Sequence, residues 1–240
     1  MTALHLADDG EAADLAAFLA RLIHYDRAAT VRLQAGGGVL AVFGRPPSFE
    51  VLAIRTARLA EDTTLDTTVS AGELLEGIEE SRGALTVPAS VTGPPWTGLL
   101  PPRGGWQRVP GLPTPEALTR AVAAAVAEFR TRDEALPPQH RTRAERDRIG
   151  REIWSRTLGD THLPLRAAHA AQSLGFLRPV RAGALTTGGG GPAAQVQAPP
   201  LSLLSAGGWL RLSTPYGSIA VRTGGPAGLT GLSGLTVTPV

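Results

Sequence analysis

The stretch TVRLQAGGGVLAVF, residues 30–43, decides the fold of the N-terminal part of the chain. Thr30–Gln34 alternates in polarity and places Val31 and Leu33 on one face, as in a strand that is buried on one side. The three glycines that follow favour a tight turn into a second apolar run, Val39–Phe43. These residues predict two neighbouring strands of a small antiparallel sheet.

The same sheet continues outward from this pair. A third strand, Phe49–Thr56, is predicted after a diproline corner. Two helices are predicted to flank the strands, because Asp8 with Glu11 and Ser70 with Glu73 have the spacing of capping pairs. The apolar positions after the first cap recur with helical spacing, at Leu15, Phe18, Leu19 and Leu22.

The C-terminal part is predicted to be helical and then to form strands. Thr114 precedes a proline and has the features of a helix cap. Two further helices are predicted at about 142–158 and 164–174. Trp209–Ser213 and Ser218–Arg222 then predict a hairpin, because the four residues between them suit a type I turn.

Together these elements predict an α+β fold in two parts. Residues 1–90 are expected to form an acidic α+β domain, with a small antiparallel sheet and flanking helices. Residues 91–113 form a loop rich in tryptophan, proline and glycine, and residues 114–222 a basic helical part closed by a β-hairpin. Residues 223–240 are expected to be a flexible tail. The order of helices and hairpin in the C-terminal part is also that of a winged helix.

Composition excludes several kinds of chemistry. The 240 residues include no lysine, asparagine or cysteine, so all 23 side chains of the Lys and Arg class are arginine. The chain therefore has no Schiff-base or P-loop lysine, thiol nucleophile, disulfide or thiolate metal site. Its His, Ser, Asp and Glu residues show no spacing typical of catalysis or metal binding. We expect no catalytic residues, no metal and no cofactor, and a protein that is not an enzyme.

Charge is divided unevenly along the chain. Residues 1–80 hold 6 arginines and 13 acidic residues, whereas residues 81–240 hold 17 arginines and 8 acidic residues. Such a chain can pair its halves within one molecule or between copies, or present its basic part to an anionic partner. No apolar run is long enough for a membrane span, and no signal-peptide pattern is present. We expect a cytoplasmic protein without membrane contact, in agreement with the lack of cysteine.

Residues 93–106, GPPWTGLLPPRGGW, are the first candidate functional segment, here called the Trp-Pro loop. Regular structure is not expected, because proline lacks an N–H donor and glycine is conformationally free. The candidate interaction residues are Trp96, Leu99, Leu100, Arg103 and Trp106. Rigid aromatic side chains on a loop are typical of a contact surface. The alternative is that the loop folds back and its tryptophans cover the core.

A nucleic-acid contact is the second candidate. Its residues would be Arg146, Arg151, Arg166, His169 and Gln172. Arginines of the 142–158 helix stand four residues from acids, and this spacing favours pairing along a solvated helix. The 164–174 helix, at the recognition position of a winged helix, is rich in alanine. That composition favours packing against another element over contacts with bases.

Several phrases of the chain resemble one family. They are ATVRL at 29–33, VLAIRT at 51–56, LPPRGGW at 100–106, and PLR at 164–166 followed by LGF at 174–176. Together they resemble a family of conserved, uncharacterised actinobacterial proteins over most of the chain. The resemblance implies a cytoplasmic actinobacterial protein and brings no activity, ligand or catalytic residue with it.

The sequence therefore favours a non-enzymatic protein-interaction or regulatory role, with the Trp-Pro loop as the contact surface and a protein partner or self-association as its target. A winged-helix DNA-binding protein is the first alternative. An enzyme or small-molecule binder with a site that the sequence does not reveal is the second.

Overall fold

The computed structural model describes residues 2–178 and 201–223. The helices in these ranges are α1 (Asp9–Tyr25), α2 (Ala71–Glu76), α3 (Pro115–Glu134), α4 (Arg143–Trp154) and α5 (Leu165–Ser173). The strands are β1 (Thr2–His5), β2 (Thr30–Gly36), β3 (Val39–Gly44), β4 (Leu52–Arg58), β5 (Leu65–Ser70), β6 (Ile78–Glu79), β7 (Ala84–Val87), β8 (Gln107–Val109), β9 (Ser202–Ala206), β10 (Trp209–Thr214) and β11 (Gly217–Arg222). The predicted tail, 223–240, lies outside the described residues apart from Thr223.

The strands form two antiparallel sheets. Eight strands lie in the order β5-β2-β3-β4-β11-β10-β9-β8, and β1, β7 and β6 form a smaller sheet. The α+β class is confirmed, as are the antiparallel N-terminal strands and the C-terminal hairpin. None of the helices in the described ranges is both long and apolar enough to span a membrane.

The strands around the triple glycine are those that the sequence predicts. Val31 on β2 lies opposite Gly44 on β3, and Leu33 lies opposite Val42. Gly37 and Gly38 connect the strands with φ of 62° and 72°. Glycine adopts this left-handed region at little cost, so the turn can be tight.

One strand pair joins the N-terminal and C-terminal parts of the chain. β11 lies beside β4, with Ser218 opposite Ile54 and Ile219 opposite Ala53. The C-terminal hairpin thereby continues the N-terminal sheet. The physical reason is that Ala53, Ile54, Ile219 and Ala220 are all buried, so both faces of these strands need cover and neither strand suits an edge.

Two helices cover the first face of the large sheet. The Asp8 side chain accepts a hydrogen bond from the Glu11 N–H, and α1 then buries the four predicted apolar residues. α5 packs on β11 and is buried over most of its surface. Its buried residues are Leu165, Ala167, Ala168, Ala170 and Ala171. The small side chains let this helix lie close to the sheet, so it exposes little surface to a partner.

Arg55 on β4 ties α1 to the sheet. Its side chain is only 8% exposed, and its Nη2 lies 3.0 Å from Glu11 Oε2 and 3.2 Å from Asp14 Oδ2. Its Nη1 donates to the Tyr216 carbonyl oxygen, 3.0 Å away, at the turn that precedes β11. One guanidinium therefore contacts the helix and the hairpin from the strand between them. Arg58 also pairs with Glu11, but its side chain is 67% exposed.

Replacing each of these two arginines in turn compares how much a buried and an exposed arginine contribute to stability. Arg55→Ala removes a buried guanidinium and its hydrogen bond to the Tyr216 carbonyl oxygen, and we expect it to lower the free energy of unfolding by about 2 kcal/mol. The loss is limited because Glu11 keeps its contact with Arg58 and Asp14 keeps its contact with Arg178. Arg58→Ala removes an exposed pair and should cost less than about 1 kcal/mol. Urea denaturation of the two variants measures both values. Equal losses would contradict the role given to Arg55.

Candidate binding groove beneath the Trp-Pro loop

The Trp-Pro loop crosses the second face of the eight-stranded sheet, which is the face opposite α1 and α5. Just before the loop, the Val91 N–H donates to the Thr68 carbonyl oxygen on β5, at one edge of the sheet. Just after the loop, β8 pairs with β9 at the other edge. The segment therefore spans the whole breadth of the sheet. It contains one short 3₁₀ turn, Pro95–Gly98, where the sequence predicted no regular structure.

The two tryptophans of the loop pack on the sheet. Trp96, Leu100 and Trp106 are half-buried against a small second hydrophobic cluster. The members of that cluster are Phe43, Leu52, Ile54, Trp209 and Ala220. The Trp106 indole N–H also donates to the Pro102 carbonyl oxygen at 3.0 Å. These three side chains therefore cover the hydrophobic cluster of the sheet, which is the alternative that the sequence left open for the loop.

The remaining two candidate residues of the loop face solvent. Leu99 is 57% exposed, and Arg103 is exposed. The Leu99 N–H donates to the Trp96 carbonyl oxygen at 2.9 Å, so the backbone at the exposed leucine is held in place. The loop therefore combines a buried side, which anchors it, with an outward side.

A cavity of about 340 Å³ lies between the loop and the sheet. Its apolar lining on the sheet side includes Ala41, Phe43 and Ile54, and the loop contributes Pro101 and Pro102. Its polar lining residues are Gln34, Thr56, Arg103 and Arg211. A cavity with an apolar lining and few polar groups is typical of a small binding site.

Arg211 on β10 is a residue that the sequence analysis missed. Its Nε donates to Ser218 Oγ at 2.8 Å, and its guanidinium carbon lies 5.7 Å from the centroid of the Trp106 ring. Partial burial lowers the pKa of this guanidinium from its ordinary value. No carboxylate among the described residues lies within 4.0 Å of it. Alternation along Trp209–Thr214 places Arg211 on the face of Trp209, which is the signal that could have identified it.

A second cavity, of about 460 Å³, lies near the other end of the loop. It is lined by Trp96, Arg45 and Asp26, among others. Arg45 is exposed, and a carboxylate shares the lining with it. The first cavity has a half-buried arginine with no described carboxylate near it, whereas the second has no such arginine. The second cavity is therefore the weaker candidate for a binding site. In the described ranges, no group of three or more His, Asp or Glu residues is arranged to hold a metal ion.

The candidate nucleic-acid residues lie in different surroundings on α4 and α5. Arg146 pairs with Asp133 of α3 at 2.6 Å, and the Arg166 Nε lies 3.9 Å from Glu50. His169 stacks on Trp154, with 4.3 Å between the ring centroids, and burial lowers its pKa. Arg151 and Gln172 are exposed. These five residues therefore do not form one basic surface of unpaired side chains.

Ion pairs between residues of α3 and residues in or just after α4 occupy further arginines of this region. Arg132 holds both carboxylate oxygens of Glu152, at 2.7 and 2.8 Å, and Arg156 holds both oxygens of Glu128. Of the pairs expected along α4, Arg148–Glu152 is 3.9 Å apart, longer than these contacts between helices. The acids lower the charge available to phosphate, and the ion pairs clasp α3 to α4.

The fold and the groove define an α+β protein with a loop-covered antiparallel sheet. Residues 101–226, more than half of the chain, match the family described as domain of unknown function DUF8185, and the chain belongs to this family. Residues 1–98 match a second description, domain of unknown function DUF8010. The chain matches no curated protein and no solved structure. The resemblance to an uncharacterised family is therefore confirmed, and its actinobacterial source stays a prediction.

The two family matches meet at the Trp-Pro loop. The first ends at residue 98 and the second begins at residue 101, between Trp96 and Arg103. The expected division into residues 1–90 and 114–222 stays a prediction. The shared sheet shows that the two segments are joined by the pairing of β4 with β11.

Acid titration tests the clasp between α3 and α4. The bond from Arg132 lowers the pKa of Glu152 from 4.5 to about 2. A carboxyl whose pKa is lower in the folded state stabilises the fold above its unfolded pKa, and this contribution is lost as the pH falls from about 4.5 to about 2. We expect NMR titration at low ionic strength to show Glu152 ionised at pH 3.5. Titration near 4.5, or a stability profile that Glu152→Gln leaves unchanged below pH 4.5, would contradict the clasp.

Proposed function

We propose that this protein is a non-enzymatic binding protein, with an interaction or regulatory role, that contacts a protein partner through the Trp-Pro loop and the groove beneath it. The observation that supports this most directly is Leu99, an apolar side chain 57% exposed on a loop whose neighbouring residues are anchored. The lack of cysteine is consistent with a cytoplasmic setting for this contact.

Anchoring supports a contact role because association costs conformational entropy. Trp96, Leu100 and Trp106 already hold the loop on the sheet, so it has less freedom to lose when a partner binds. Covering the exposed part of Leu99 would contribute on the order of 1 kcal/mol. Arg103 follows four residues later, and arginine is enriched at protein interfaces.

DNA binding has weaker support from the geometry. α5 is buried over most of its surface, and Arg146, Arg132 and Arg156 are paired with carboxylates. A phosphate-binding surface would need these cations to release their acids first. DNA binding is therefore kept as the competing outcome of the experiments below.

A photo-crosslinking amino acid at position 99 of the full chain tests the contact in the host cell. Val91 is the matched control, since it is also exposed, at 38%, and lies just before the loop. We expect a defined crosslinked product from position 99 that is absent from position 91. If the partner is a second copy, the product has twice the mass of the chain. Identical products from both positions, or none from either, would contradict the proposal.

The identified partner then allows a quantitative test. Leu99→Ser should weaken its affinity about tenfold, because an apolar contact worth about 1.4 kcal/mol is lost, whereas Val91→Ser should not. The affinity should change little between 50 and 200 mM salt. Non-specific DNA binding through several arginines would weaken about 10³-fold over that range. Tight DNA binding with that slope, unchanged by Leu99→Ser, would replace the proposal.

A further inference from the structure

The C-terminal half of the second face is basic. The strands β8, β9, β10 and β11 carry three arginines and no acidic residue. The register places them on the same face: Arg108 lies opposite Leu204, which lies opposite Arg211, and Arg222 lies opposite Trp209. No described carboxylate lies within 4.0 Å of any of the three. This surface complements an anionic ligand.

Two arginines of the same sheet differ in whether the protein provides a carboxylate partner for them. Arg55, on the first face, holds carboxylates of Glu11 and Asp14. Arg211, half-buried on the second face, has a hydroxyl and the Trp106 ring as its polar and aromatic partners. Removing a cation from water is costly when no anion accompanies it. A carboxylate from a ligand would give Arg211 the anionic partner that Glu11 and Asp14 provide for Arg55.

The cavity beside Arg211 defines the rest of such a ligand. Its volume of about 340 Å³ is at the lower end of the range for small-ligand sites. Ala41, Phe43 and Ile54 give it an apolar lining, and Arg103 adds a second guanidinium. The lining thus suits an apolar side chain next to a carboxylate. Exposed Leu99 stands two residues before Pro101 of the lining, so apolar surface continues beyond the cavity.

We propose that the groove binds an acidic segment of a partner protein, with one carboxylate paired to Arg211 and the neighbouring apolar side chain in the cavity. This inference rests on the proposed contact role of the Trp-Pro loop and specifies the chemistry of the partner. A guanidinium donates two parallel hydrogen bonds to a carboxylate, which fixes the direction of the segment. Contact with Leu99 then distinguishes a protein segment from a free small carboxylate.

The position of Trp106 against Arg211 gives a local readout. The four tryptophan indole N–H groups of the full chain give separate signals after ¹⁵N labelling of tryptophan, and Trp106→Phe assigns the relevant one. The probe is N-acetyl-leucine, which carries a carboxylate beside an apolar side chain. Its matched control is N-acetyl-leucinamide, which has the same apolar part and no charge.

We expect N-acetyl-leucine to shift the Trp106 signal, with half-saturation at about 1–10 mM for a ligand of this size. The signal of Trp154, which stacks on His169 of α5, should not move. N-acetyl-leucinamide should bind at least about tenfold more weakly, since it lacks the charged hydrogen-bond acceptor. Equal shifts from both compounds, or no shift at 50 mM, would overturn the inference.

Variants establish that Arg211 provides the contact. Arg211→Gln should weaken N-acetyl-leucine binding about tenfold or more. Arg222→Gln removes the same charge from the same face, but Arg222 does not line the cavity, so it should weaken binding less than about twofold. Arg103→Gln changes an exposed residue and serves if Arg211→Gln does not fold. It should weaken binding by a smaller factor. Unchanged binding in Arg211→Gln, or in Arg103→Gln if Arg211→Gln does not fold, would overturn the inference.

A peptide separates the two levels of the proposal. The acetylated, amidated hexapeptide Glu-Leu-Glu-Leu-Glu-Leu should bind more tightly than N-acetyl-leucine and lose about tenfold with Leu99→Ser. A different outcome is that N-acetyl-leucine binds at Arg211 while the peptide binds no more tightly and its affinity is unchanged by Leu99→Ser. In that case the site binds a free carboxylate, and the proposed protein contact fails. If a partner crosslinks at position 99 but Arg211→Gln binds it normally, the contact role stands and the carboxylate site fails.

Discussion

The pairing of β4 with β11 is the constraint on which the rest of the structure depends. It joins residue 52 to residue 220 and makes one sheet from two segments that are distant in sequence. Gly217, where β11 begins, allows this close approach, because a Cβ there would lie 2.6 Å from the Phe176 ring and 2.9 Å from the Ile54 carbonyl oxygen. Arg55 reinforces the junction from the first face through α1 and Tyr216.

The second face has its present form because of the same pairing. Its hydrophobic cluster takes Leu52 and Ile54 from β4, Ala220 from β11 and Trp209 from β10. Without the junction, the Trp-Pro loop would have no continuous surface to cross. Covering the sheet and contacting a partner are therefore compatible roles, since the anchored tryptophans hold Leu99 outward and leave Arg211 at the side of a cavity. The excess of arginine in the C-terminal part of the chain contributes to this face, because the arginines of β8, β10 and β11 all lie on it.

The sequence predicts well the elements whose signals are local. The cap at Asp8 and the apolar spacing of α1 lie within one helix, and the turn between β2 and β3 lies in consecutive glycines. The partner of β11 could not be predicted, because alternation shows that a strand is buried and not which strand covers its edge. For the same reason, the ion pairs between α3 and α4 were missed. They connect Arg132 and Glu152 across two helices, which no spacing within one helix reveals. Arg211 was missed because its significance comes from a loop about a hundred residues earlier.

The absence of cysteine from the chain allows one measurement to test the central claim, that the loop is anchored on the joined sheet with Leu99 outward. Leu99→Cys and Leu100→Cys differ by one position, yet the first side chain faces solvent and the second packs on the cluster built by β4 and β11. Their rates of modification by a maleimide in the native full chain can be compared directly. The account predicts that position 100 reacts several-fold more slowly, since the half-buried side chain packs on the cluster and must move away from it before the maleimide can reach the sulfur. Equal rates at the two positions would contradict it.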